Sequence, residues 1–291
     1  MAVKLEINNI CLTFGKQHTL RNVTTVLESG KIYGLIGRNG AGKTSLLSLI
    51  ASYRLPTLGM ITYDGENLFE HPKHTKDIHF GYDRVFKDEV VEKANNYLKS
   101  VKLHRPHFDE EYADELIKKF KIDLNKPLSK YSKGMTAAFH VMLGLANRSP
   151  ITIFDEVYLG LDAPTREMFY QELLEEQERN QRMFILSTHL VSEMEHLFDH
   201  VLILDQGKLI VDEDFEAFTS RGVKVIGDLN TVNEFTANKH ILHEENLGGT
   251  KAATIYGEFT EEEWTLAKSK DLEVEPISLQ QLFIHFTKEE D

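Results

Sequence analysis

The stretch Gly37-Arg38-Asn39-Gly40-Ala41-Gly42-Lys43-Thr44 constrains this chain more than any other part of it. It follows the short, mostly apolar run Lys31 to Gly37. It precedes Thr44 to Arg54, where Leu46, Leu47, Leu49 and Ile50 recur at helical spacing and Pro56 and Gly59 mark the stop. Glycine, four residues, glycine, lysine and a hydroxyl residue, set between a strand and a helix, is the pattern of a phosphate loop. Its glycines let the backbone curl so that N–H groups converge on one anion. The helix that opens behind them turns its positive end to the same point. The pattern therefore assigns Gly37, Asn39, Gly40, Ala41, Gly42, Lys43, Thr44 and Ser45 to a nucleotide's phosphates. Lys43 supplies a point charge to the β- and γ-phosphates, Thr44 a hydroxyl for magnesium, and Ser45 a donor near the α-phosphate.

Two further strand ends complete such a site. Ile151-Thr152-Ile153-Phe154 is a buried strand by composition, and it runs into Asp155-Glu156. In a parallel sheet the strand ends beside a phosphate loop face the ligand. Asp155 is then placed to hold magnesium, and Glu156 to polarise a water for in-line attack on the γ-phosphate. A single acid there would read as a helix cap; two acids after four apolar residues read as a site. Met183 to Leu186 is another apolar run. It ends in Ser187-Thr188-His189, 33 residues after Glu156, so His189 can reach the γ-phosphate and the attacking water.

The rest of the chain fits an α/β protein. Val3, Leu5 and Ile7, then Ile10, Leu12 and Phe14, alternate as strands do. Residues 83–149 are charged, with apolar residues at helical intervals such as Tyr112, Leu116, Ile117 and Phe120, and read as a helical insertion. Pro164 opens a helix through Arg179. Asp205-Gln206-Gly207-Lys208 is a hairpin signal between Val201–Leu204 and Leu209–Val211. Near Ser220 the nucleotide-related pattern stops. Residues 221–291 hold 14 acidic and 7 basic side chains and their own apolar pattern, with Val223, Val225, Ile241, Leu242, Ile255, Trp264 and Leu266 as candidate core. Leu279, Leu282, Phe283 and Phe286 form a helical stripe that either docks on its own chain or holds two chains together.

Between the phosphate loop and the paired acids lies Leu128-Ser129-Lys130-Tyr131-Ser132-Lys133-Gly134-Met135. With these elements placed, the chain resembles the ATPase cassette of ABC transporters, whose signature reads leucine, serine, glycine, glycine, glutamine. Tyr131-Ser132-Lys133-Gly134-Met135 departs at three positions and keeps the serine and the second glycine. The resemblance implies that Ser132 and Gly134 contact the γ-phosphate held by the opposite subunit, with Lys133 adding a charge. It implies that Phe14 stacks on adenine, with a strand core position as the alternative reading. Leu159-Gly160-Leu161-Asp162 resembles the loop through which two subunits signal. Asp83 falls where a glutamine usually senses magnesium and contacts the membrane partner, and a shorter, charged residue puts that metal contact in question.

The resemblance covers roughly residues 3–215 and the closing segment Ser278 to Phe283. The signature form, the acidic sensor and the extra C-terminal region are similar to exporters of the bacitracin-resistance type. These include Gram-positive exporters of peptides and antimicrobials, down to cytolytic peptides such as phenol-soluble modulins. The fold it implies is a RecA-like parallel-sheet core with an N-terminal antiparallel β subdomain, a helical subdomain about 83–149, and a small C-terminal α/β module after a nucleotide-binding domain of 1–220. ATP and Mg2+ are the implied cofactors. The implied partners are a transmembrane permease subunit and a second ABC ATPase subunit, identical or not, at the cytoplasmic face of the membrane.

The alternative is a soluble ABC protein acting on ribosomes or nucleic acid. Such factors usually carry two cassettes, whereas this chain carries one. DNA-repair relatives insert long coiled coils, yet Lys43 and Ser132 are only 89 residues apart. A net charge of −13 also opposes sequence-independent binding to a phosphate backbone, so no nucleic-acid partner is expected. A metabolic kinase would not explain the signature. The single cysteine, Cys11, suits a reducing compartment, and no run approaches the roughly 20 apolar residues of a membrane span, so a membrane role requires a partner. His71 with His74, and His104 with His107, lie in polar stretches and read as solvated surface.

Overall fold

The alternation from Val3 to Leu12 builds the first sheet. In the computed structural model, which describes residues 3–69, 71–82 and 92–288, β1 (Lys4–Phe14) turns Leu5, Ile7, Ile10 and Leu12 inward. β2 (Gln17–Glu28) returns antiparallel to it. β3 (Ile32–Ile36) is buried on both faces, as a central strand must be, and leads through the phosphate loop into α1 (Lys43–Ile50). β4 (Leu58–Tyr63) and the two-residue β5 (Glu66–Asn67) complete an antiparallel sheet in the order β2-β1-β4-β5.

β6 (Ile78–Tyr82) crosses into a second sheet and was not expected from the sequence. The insertion is helical, with α2 (Ala94–His104), α3 (Glu110–Lys119) and α4 (Lys133–Ala146). Asp109 caps α3 by accepting the Tyr112 N–H at 2.8 Å. β7 (Ile151–Asp155), α5 (Ala163–Arg179), β8 (Met183–Thr188), α6 (Val191–Met194), β9 (His200–Asp205) and β10 (Lys208–Asp214) follow. The second sheet has the order β10-β9-β3-β8-β7-β6 and is parallel except for β10, which folds back on β9 at the expected hairpin. Its two faces feed two cores. Ile32, Phe154, Phe184, Leu186 and Ile203 face α4, α5 and the helical insertion. Tyr33, Leu35, Ile153, Ile185 and Leu202 face α1 and the N-terminal sheet.

After α7 (Phe215–Thr219) the chain builds a third unit: β11 (Gly222–Asp228), α8 (Leu229–Thr236), β12 (Ile241–Leu247), β13 (Thr250–Tyr256), α9 (Glu261–Ser269) and β14 (Glu273–Pro276). Its antiparallel order β12-β13-β11-β14 with two connecting helices is a ferredoxin-like split βαβ arrangement. Val223, Val225 and Ile255 are in its core with Val232, Phe235, Ala253, Ala267 and Leu272, and Ile241 packs against them. Trp264 and Leu266 stay exposed instead, and Leu242 packs on the larger domain. The reason is phase: on α9 it is Ala267 that points at the sheet.

α10 (Leu279–Phe286) leaves this unit. Leu279, Leu282 and Phe283 bury themselves in the same core as α5 and α6, with Phe286 packed against it. Of the two readings of that stripe, the structure shows self-docking: the surface it needs is on its own chain. Among the described residues no helix is long and apolar enough to cross a membrane.

Candidate active site

Strand register gathers the motifs. β8 lies between β3 and β7, with Ile36 opposite Thr188 and Asp155 opposite Ser187. The phosphate loop, the paired acids and Ser187-Thr188-His189 therefore leave three neighbouring strands at the same edge of the sheet.

Gly42 precedes the first residue of α1 at φ 110°, and a Cβ there would sit 2.9 Å from Leu20 Cδ2, so the loop closes only over glycine. Lys43 is 6% exposed. Its Nζ donates to the Gly37 carbonyl at 2.7 Å and lies 3.4 Å from Glu156 Oε1. The same Glu156 oxygen is 2.9 Å from His189 Nδ1. Glu156 adopts φ 54°, a left-handed conformation that a non-glycine residue holds only where its surroundings impose it. Asp155 is buried and accepts a hydrogen bond from the Ser187 hydroxyl. Beneath them the Tyr158 hydroxyl donates to Thr188 Oγ1 and the Leu190 N–H donates to the same Thr188 oxygen at 2.8 Å, which fixes the turn that carries His189. Burial pushes the Tyr158 phenol up, so it stays a neutral donor.

A cavity of about 400 Å³ opens over the loop, lined by Phe14, Asn39, Gly40, Gly42, Lys43, Thr44, Ser45 and Glu156. Phe14 is 42% exposed, so the core reading of that residue is set aside. Arg38 lines the same cavity from within the phosphate loop. Gln17 and Thr19 line it too, outside any motif. Arg54 also stands outside any motif, with its guanidinium 5.2 Å from the Phe14 ring centroid. No spacing connects Gln17, Thr19 and Arg54; only the fold does. The all-oxygen pair of Thr44 hydroxyl and Asp155 carboxylate suits magnesium in its donor chemistry.

The remaining residues form a second group. Ser132 caps α4 and accepts the Met135 N–H at 3.3 Å. Asp162 caps α5 and accepts the Thr165 N–H at 3.0 Å. The Thr165 hydroxyl, and after it that N–H, hold its carboxyl below the usual range. Gly160, just before α5, lies against the first turns of α4, where a Cβ on it would be 2.8 Å from Ala137 Cβ and 2.9 Å from the Lys133 carbonyl. Ser132, Gly134 and Asp162 do not line the cavity over Lys43. Asp83 lies outside the described residues. His104 and His107 are exposed as expected. His74 is not: it is buried, in contact with Glu66, because the Tyr63 ring covers it.

A parallel-sheet α/β core with a phosphate loop, paired carboxylates and a histidine at adjacent strand ends defines a nucleotide-hydrolysing protein of the phosphate-loop class. Comparison with known proteins narrows the class. The profile of the ABC transporter family matches residues 20–158. The ABC transporter ATP-binding protein NatA of Bacillus subtilis is 30% identical over 197 residues, covering 66% of this chain and 80% of that protein. The bacitracin transport ATP-binding protein BcrA of Bacillus licheniformis is 28% identical over 232 residues, 78% of this chain and 74% of its own. A dimeric ATP-binding cassette in a post-hydrolysis state with ADP and Pi superposes with a TM-score of 0.62 at 21% identity, over 72% of this chain and 98% of that one, which shows the shared fold. The chain belongs to the ABC transporter family as an ATP-binding subunit. It is an ABC-type ATPase coupled to transmembrane transport.

Proposed function

We propose that this ATPase drives export through a separate transmembrane permease, at the cytoplasmic face of the membrane, with cargo of the peptide, antimicrobial or toxin class. The observation that carries the catalytic part is the linked set Lys43, Glu156 and His189 at one sheet edge. Lys43 is a nearly buried cation, so its charge acts on an incoming γ-phosphate with little screening. Glu156, held by His189, is the group that orients the attacking water, whose oxygen bonds to the γ-phosphorus as the bond to ADP breaks. Thr44 and Asp155 would hold Mg2+, which offsets charge on the phosphates, with the Ser187 hydroxyl keeping Asp155 in place and Asp83 as the sensor position. Gly37, Asn39, Gly40, Ala41, Gly42 and Ser45 cradle the phosphates, and Phe14 is the platform for the base.

Ser132, Gly134 and Asp162 form a capped surface away from this cavity. That separation supports a reading in which they serve the nucleotide of a second cassette, identical or not. Residues 1–220 then make up the nucleotide-binding domain and 221–291 an accessory module. Cargo of the antimicrobial-peptide class is supported by the likeness to proteins named for bacitracin and lantibiotic transport.

The test is to purify the tagged chain from detergent-solubilised membranes of its own source and identify what accompanies it by mass spectrometry. A polytopic membrane subunit in stoichiometric amount is expected. Recovery with ribosomes or nucleic acid, and with no membrane protein, overturns the reading.

A further inference from the structure

We propose that Glu66, His71 and His74 form a binding site for one divalent transition-metal ion of the zinc class. The three offer ligand atoms that all lie within 4.8 Å of one another. They come from two short pieces of backbone: the first residue of the two-residue strand β5, and a single turn in which His71 and His74 are three residues apart. The Thr75 N–H and hydroxyl both reach back to the His71 carbonyl, at 3.1 and 3.2 Å, and fix that turn.

The inner ligand is already oriented. His74 is 2% exposed and stacks between the Tyr63 ring, at 4.4 Å, and the His71 ring, at 4.1 Å. Tyr63 is itself anchored, because its hydroxyl donates to Asp77 Oδ2 at 3.2 Å. His74 Nε2 is 2.7 Å from Glu66 Oε2, and His71 Nε2 is 3.7 Å from the same oxygen. Both imidazoles therefore aim the same nitrogen at one carboxylate. The outer ligands are free to adjust: Glu66 is exposed and His71 is on the open side of the stack.

The adjustment is small in distance. Metal–donor bonds of about 2.0–2.1 Å in a tetrahedral set place donors about 3.4 Å apart. Glu66 must back away from His74 by roughly 0.7 Å and His71 must close by about 0.3 Å. His71 must also turn, since stacked rings point their lone pairs side by side, and its half-buried place on the open side of the stack leaves room for this. The fourth ligand is water, reached through the open side. Two imidazole nitrogens with one carboxylate oxygen select zinc and its first-row neighbours over magnesium or calcium, which take oxygen donors. His71 Nδ1 and His74 Nδ1 have no hydrogen-bond partner, so the outer support that strengthens a metal site by about 10–100-fold is missing. The site is of moderate affinity. A bound ion would tie the short edge strand β5 to the turn that enters β6.

The full chain, stripped of metal and free of nucleotide, is titrated with Co2+ and followed by visible absorption, then with Zn2+ against a chromophoric chelator. One equivalent with the intense absorption of a four-coordinate ion is expected. Glu66→Gln and His71→Ala alter outer side chains, and circular dichroism verifies their fold. Each should weaken that equivalent at least tenfold and remove the rise in melting temperature that Zn2+ gives the parent chain. Cobalt held by oxygen donors elsewhere gives only weak six-coordinate absorption. Unchanged binding in both variants, or no four-coordinate band in the parent, overturns the site and leaves the trio as a hydrogen-bonded pair with a stacked neighbour.

Discussion

Lys43 Nζ stands 3.4 Å from Glu156 Oε1, so the phosphate loop and the end of β7 are joined by one ion pair. The lysine is almost fully buried and the carboxylate a quarter exposed, which makes Lys43 the more rigid partner. In the proposed mechanism a phosphate entering the loop competes for that cation and leaves Glu156, still held by His189, facing water.

Replacing Lys43 with alanine should therefore abolish nucleotide use without unfolding the chain. Loss of one charge-stabilising donor in a preorganised site costs about 10²–10³-fold in turnover. Phosphate release under saturating ATP measures it, and a thermal melt checks the fold. Turnover within a few-fold of the parent would remove Lys43 from the chemistry.

Glu156→Gln separates binding from chemistry. The side chain keeps its shape and can still accept from His189 at the Oε1 position, 2.9 Å away in the parent. It loses the negative charge proposed to polarise the attacking water. ATP binding should persist while hydrolysis falls by about 10²-fold or more, in the range of a lost catalytic base. If two cassettes close on ATP, this variant should elute as a dimer with ATP and Mg2+ and as a smaller species without them. A normal rate of hydrolysis would falsify the assignment.

Much of this site was legible because its motifs are continuous in sequence. Gly37 to Thr44, Asp155-Glu156 and Ser187 to His189 each end an apolar strand, and parallel pairing does the rest. What escaped was discontinuous. β6 reads Ile78-His79-Phe80-Gly81-Tyr82, too short and too mixed to announce a strand, and it forms because β7 offers it a parallel edge. Arg54 meets Phe14 only across the fold, so no local pattern marks the pair. His74 looked solvated because its neighbours Pro72, Lys73 and Lys76 are polar or turn-forming; its burial comes from the distant Tyr63. On α9, Trp264 and Leu266 counted as core by apolarity, whereas helical phase gave that place to the small Ala267.

Acid should destabilise the fold through His79. This imidazole is buried, and its Nδ1 is 2.6 Å from the Asn147 amide nitrogen, which donates to it. Burial, then the charges of Arg105, His140 and Arg182, hold its pKa well below the usual 6.5. The folded state thus resists a proton that the unfolded chain accepts. Stability is unaffected above about pH 7 and falls as pH drops below the unfolded value, by about 1.4 kcal/mol per pH unit until the folded pKa is reached. Denaturant titrations at pH 7.5 and 5.5 should show the parent losing about 1.4 kcal/mol more than His79→Gln. Equal losses in the two proteins would mean that His79 does not carry the acid sensitivity.

The last helix decides between self-docking and subunit contact by energetics. Ser278 and Gln281 form a reciprocal capping box at the start of α10, so the helix has a defined origin. From there Leu279, Leu282 and Phe283 enter the core shared with Phe169, Leu173, Met194 and Leu197. Leu282 is fully buried. Truncating such a leucine removes its transfer energy and leaves a cavity, at a cost of about 2–5 kcal/mol. Leu282→Ala should therefore lower the denaturation midpoint of the chain clearly while leaving nucleotide-free association, read by light scattering, as in the parent. The exposed Ile284 on the same helix supplies the contrast, since Ile284→Ala should change stability by no more than about 0.5 kcal/mol. If Leu282→Ala kept its stability but lost association, the stripe would face a second subunit in solution, and its place in the cassette core would be wrong.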